Sequence, residues 1–145
     1  MVVDQAETND PNMATSSAQI GSGTAWAAGY TGVGSKIAII DTGIDTEQQS
    51  FSAAGYEYSL TQNLKDGETL AEYKARMGIL TKDGLTEDVL KSLNVKVSAD
   101  KVYLNSKIPF AYNYIDKNYT VNHMSDQQGE HGSHVAGIAA ANAYI

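Results

Sequence analysis

Residues 35–45 read Ser35-Lys36-Ile37-Ala38-Ile39-Ile40-Asp41-Thr42-Gly43-Ile44-Asp45. Residues 37–40 form an uninterrupted apolar run after a glycine-rich lead-in, which suits a strand covered on both faces in a parallel sheet better than one face of a helix. The run is too short for periodicity to decide. Its end decides, where a carboxylate, a hydroxyl and a glycine arrive together as Asp41, Thr42 and Gly43. In open α/β sheets chemistry sits at the carboxyl ends of strands, so Asp41 stands where a functional acid would be. The competing reading is an Asx-type turn residue that only ends a strand.

A second stretch weighs against that bland reading. Residues 130–142 read Glu130-His131-Gly132-Ser133-His134-Val135-Ala136-Gly137-Ile138-Ala139-Ala140-Ala141-Asn142, a histidine opening a helix-like run of small and apolar residues. Asp41 with Thr-Gly, then His131 with Gly-Ser-His-Val-Ala-Gly, resemble the first two catalytic motifs of the subtilisin-like serine proteases, in that family's order. The family usually reads Asp-Thr/Ser-Gly-Ile-Asp and His-Gly-Thr-His-Val-Ala-Gly, so Ser133 for Thr is the one conservative change. The resemblance implies an α/β fold: part of the subtilisin-like three-layer arrangement with a mostly parallel sheet, ending after the helix of His131. Residues 1–145 are then the N-terminal part of a catalytic domain, and the activity implied is serine-type endopeptidase.

Length and charge bound the alternatives. A chain of 145 residues holds one compact domain and a usable core, yet is short for a complete protease of this kind. The formal charge of −7 and pI near 4.7, without any Lys/Arg cluster, argue against nucleic acid or an anionic membrane as partner. Cysteine is absent, which excludes disulfides and thiolate metal sites. No run of eighteen apolar residues occurs, and the first thirty residues lack the order of a secretory signal, so no membrane insertion is expected from this segment and any targeting segment lies outside it. The resemblance implies a secreted or cell-wall-associated protein, with protein or peptide substrates and the remainder of its own catalytic domain as partners.

Along the chain, residues 1–17 read as a loose lead segment and 17–28 as a short helix with Ile20 and Trp26 on its apolar side, Trp26 as a packing residue. Residues 29–34, Gly-Tyr-Thr-Gly-Val-Gly, turn into the strand. Residues 52–106 are charged and helical in pattern, with one helix over 68–77 stopped by Gly78 and another over 86–93 capped by Thr86. Asp41 and His131 lie 90 positions apart, which makes 52–106 an insertion between the two motifs. This resembles the larger cell-envelope proteinases of Gram-positive bacteria, although a solvated helical excursion explains the segment equally well. Residues 107–116 read as a strand with Pro109 near its start, similar to the Pro-Tyr-x-x-Asn-Tyr-x-Asp segment of those enzymes. Residues 123–129 form a polar loop delivering the chain to His131.

The chemistry follows from residue type. A serine hydroxyl needs a base within hydrogen-bond reach, and the base needs a carboxylate to hold its tautomer and stabilise its cation. The resemblance makes His131 the general base, then acid, and Asp41 its orienting partner; Gly132 lets the backbone turn tightly beside the imidazole, and Gly137 with Ala136, Ala139 and Ala140 makes a helix surface thin enough to lie close to the sheet carrying Asp41. His134 reads as a packed, hydrogen-bonded helix histidine. Glu130, His131 and His134 with His123 or Asp126 form an alternative metal cluster, but the His-Glu-x-x-His order of zinc peptidases is absent. No cofactor is required for the chemistry. Gln48 and Ser50 stand where many relatives have His and Asp, which argues against calcium there and leaves structural calcium to other parts of the full-length protein. No serine sits in a Gly-Thr-Ser-x-Ala context and no oxyanion-hole Asn follows His131 at the family's spacing, so this chain alone is expected to be inactive. The alternative function is a non-catalytic α/β binding module, or a protease scaffold that has lost its activity.

Overall fold

The computed structural model describes residues 13–122 and 129–142. Among them run the helices α1 Met13–Gln19, α2 Ser22–Ala27, α3 Ala53–Thr61, α4 Leu70–Arg76, α5 Glu87–Ser92, α6 Ala99–Val102 and α7 His131–Ala140, with 3₁₀ turns at Gln49–Phe51 and Lys82–Gly84. The chain divides into two units, residues 1–36 and 37–145. In the first, the single helix expected over 17–28 is two helices, broken at Gly21, whose φ of +74° lies in the left-handed region that glycine enters without a Cβ penalty. Helix α1 begins at Met13, inside the segment read as loose; residues 1–12 lie outside the described residues. Trp26, expected to pack, is exposed.

The second unit corrects the expected fold class. The described residues contain no sheet, so the α/β, mostly parallel arrangement is replaced by a helical one. Residues 37–40 make no hydrogen-bonded ladder with another described segment, and Ile40 is 100% exposed. An apolar run supplies strand propensity, but a parallel strand is stable only through its neighbours and the faces they cover. Just beyond it, Ile44 N–H donates to Val121 O at 2.8 Å, which makes no ladder among the described residues. The strand expected over 107–116 is also absent. Asn113 Oδ1 accepts from the N–H groups of Ile115 and Asp116, a local turn that competes with any ladder; among the described residues an antiparallel bridge joins Asn113 to Asn118.

Packing is concentrated between residues 80 and 112. Leu85, Leu90, Val95 and Val102 are buried together, with Leu80, Phe110 and Tyr112 against them. Burying each such side chain stabilises the fold by roughly 1.5–3 kcal/mol. Local chemistry sets the helices that carry them. Thr86 Oγ1 accepts from Val89 N–H to cap α5, and Asn94 at φ +56° ends it, so that Val95 N–H closes back on Leu90 O at 2.9 Å and its side chain turns into the core. Thr69 and Glu72 form a reciprocal capping box that starts α4, and Gly78 at φ +59° stops it. Phe51, Leu60 and Tyr73 are buried on the neighbouring elements. The Arg76 guanidinium lies 4.9 Å from the Tyr73 ring centre and grips Glu68 through two bonds of 2.7 and 3.0 Å. That grip, with the Lys65 N–H, holds the Glu68 carboxyl at about 2.

Candidate active site

Two segments far apart in sequence meet at the start of α7. Gly132 is the point of closest approach: a Cβ there would stand 2.1 Å from Gly43 O and 3.0 Å from Gly43 N. Only a residue without a side chain lets the helix end come this near the 41–43 turn. Gly137, expected to thin the same helix, has open space where its Cβ would be, so the close fit falls to Gly132, with Ala136 buried one turn further on.

This approach places His131 Nδ1 2.8 Å from Asp41 Oδ1. The Asp41 side chain is 17% exposed and the His131 side chain 68%. The carboxyl of Asp41 is held below its ordinary range, first by the His131 hydrogen bond and then by the Thr42 backbone N–H, which donates to Oδ1 at 2.7 Å. An ionised carboxylate only accepts, so the proton between the pair belongs to Nδ1. In the neutral ring Nε2 then carries a lone pair, on an imidazole open to solvent.

Further bonds fasten the two segments together. Gly132 N–H donates to Thr42 Oγ1 at 3.0 Å, and Asp45 N–H donates to Ser133 Oγ at 2.7 Å. At the other end of α7, Asn142 N–H donates to Ser50 O at 2.8 Å and its side-chain amide to Ser52 O at 2.9 Å. In the sequence Ser133 stands out only as a replacement for Thr, and Thr42 has no task of its own. The available signal was a small hydroxyl residue directly beside a glycine in each motif.

Other candidates fall away from this centre. His134, expected to be packed, is exposed. Among the described residues no group of three His, Asp or Glu side chains comes together as a metal site, while His123 and Asp126 lie outside the described residues. Asp45 has both carboxylate oxygens engaged, by Glu47 N–H and the Gln48 amide.

Residues 32–144 match the Subtilase family. The PI-type and PII-type proteinases of Lactococcus lactis subsp. cremoris, and the PIII-type proteinase of its strain SK11, are each 31% identical to this chain over 113 residues. That alignment covers 78% of this chain and 4–5% of those proteins, so the chain spans a small part of their length. No solved structure matches it.

Proposed function

The chain belongs to the subtilase family, a family of serine proteases, and from that premise we propose that it supplies the acid and base of a serine endopeptidase: Asp41 and His131. The observation that carries this reading is the 2.8 Å contact between His131 Nδ1 and Asp41 Oδ1. In the proposed reaction His131 Nε2 takes the proton of a serine hydroxyl as that oxygen attacks the scissile carbonyl, then returns it to the leaving amine. Asp41 keeps Nδ1 protonated, and so Nε2 available, and its negative charge stabilises the imidazolium formed in between. The serine and the oxyanion donor are assigned to residues outside these 145, since no serine of this chain stands in the family's nucleophile context. The 145-residue chain is accordingly proposed to be inactive by itself. Protein or peptide substrates and a secreted or wall-associated setting complete the proposal, in keeping with the proteinases it resembles.

A serine-directed fluorophosphonate probe tests this. The protein expressed with its natural downstream sequence takes up the probe and hydrolyses peptides, and His131→Ala loses both. Undiminished labelling and hydrolysis in His131→Ala would remove the assignment.

A further inference from the structure

Helix α7 opens without a cap of its own: the Glu130 side chain makes no capping bond. The first amides of any helix need acceptors from elsewhere. The Gly132 amide finds one 90 positions away in sequence, Thr42 Oγ1 at 3.0 Å. The same residue holds the other half of the pair, because Thr42 N–H donates to Asp41 Oδ1 at 2.7 Å. One residue therefore grips the carboxylate with its backbone and the helix bearing the imidazole with its hydroxyl. A reciprocal bond runs the other way, Asp45 N–H to Ser133 Oγ at 2.7 Å. The two side-chain oxygens, one from each segment, belong to residues adjacent to Asp41 and two positions from His131, whose own contact is 2.8 Å.

We propose that Thr42 is a positioning residue, a cap in trans for α7 that sets the Asp41–His131 distance, with Ser133 as its counterpart on the helix side. The proposal rests on the dyad reading above. It demands an acceptor oxygen at position 42: serine supplies one, and valine, of nearly the same shape, does not. Without that oxygen the Gly132 amide is left unpaired in a part-buried site, and the helix start is free to move away from the carboxylate. A displacement of about 1 Å at a reacting pair costs on the order of a hundredfold in rate. The loss appears in kcat with KM little changed, because Thr42 is not assigned to substrate binding.

The test reads the ring proton directly, by long-range ¹H–¹⁵N spectra of histidine-labelled protein, together with peptide hydrolysis by the protein carrying its natural downstream sequence. The expected result is a hydrogen-bonded His131 Nδ1–H signal in the unaltered protein and in Thr42→Ser, weakened or lost in Thr42→Val, with kcat down ten- to a hundredfold in the valine variant only. Ser133→Ala probes the same clamp from the helix side and replaces Thr42→Val where that variant does not fold. An unchanged Nδ1–H signal and kcat in Thr42→Val, or in Ser133→Ala in its place, would overturn the proposal. Asp41→Asn separates the two levels: if it leaves the signal intact, the dyad reading itself fails. If it removes the signal while Thr42→Val does not, only the positioning role fails.

Discussion

Replacing Gly132 with alanine adds one methyl group where the structure has no room for it. The new carbon would lie 2.1 Å from Gly43 O and 3.1 Å from Gly43 C, both backbone atoms with no rotamer to yield. Ordinary carbon contacts begin near 3.5 Å, so the helix start and the 41–43 turn must part by roughly 1 Å. Such overpacking costs about 1–3 kcal/mol of stability. The separation acts along the contact between α7 and the turn, where the 3.0 Å bond from Gly132 N–H to Thr42 Oγ1 and the 2.8 Å bond from His131 to Asp41 both lie. Opening them by that amount breaks the first and misaligns the second, with a rate loss of about a hundredfold. Peptide hydrolysis by the natural-length protein measures the rate, and thermal unfolding measures the stability. A Gly132→Ala variant with unaltered turnover and stability would refute the close-approach argument.

Three further outcomes test other parts of the molecule. Val102→Ala, at a side chain 0% exposed in the 80–112 core, is expected to lower unfolding stability by about 2–3 kcal/mol in urea titration. Thr69→Ala removes the acceptor for Glu72 N–H and dismantles the capping box, with an expected cost of about 1 kcal/mol and faster amide exchange in the first turn of α4. Glu68→Gln tests the ion pair through pH. The Glu68 carboxyl sits at about 2 instead of its ordinary 4.5, so its contribution is complete above the ordinary value and is lost as pH falls through about 2. The variant should therefore melt below the unaltered protein at pH 6, with the difference closing as pH approaches 2.

These tests also mark where local chemistry was readable and where it was not. The helices α4 and α5 were legible because their signals are local: Thr86 caps α5 three residues before the amide it accepts, and Gly78 needs no distant partner to enter its left-handed conformation. Residues 37–40 misled because an apolar run states a preference for burial, while a sheet exists only if another strand lies alongside. Residues 107–116 misled for a different reason, since the Asn113 side chain satisfies backbone amides that a strand would have offered to a neighbour. Asp41 and His131 could be nominated from the resemblance of their two motifs, in order, to those of a known family. The fit that brings them together could not, because it depends on two glycines, 43 and 132, whose backbones touch across most of the chain.

The most direct measurement is a double-mutant comparison of Asp41→Asn, His131→Ala and both together in the natural-length protein, read as kcat/KM for peptide hydrolysis. Groups that act as one unit give losses that do not add. Asp41→Asn alone is expected to cost about four orders of magnitude, and the double variant to be little worse than the more damaged single one. Losses that simply multiply, or near-normal turnover in either single variant, would contradict the pairing.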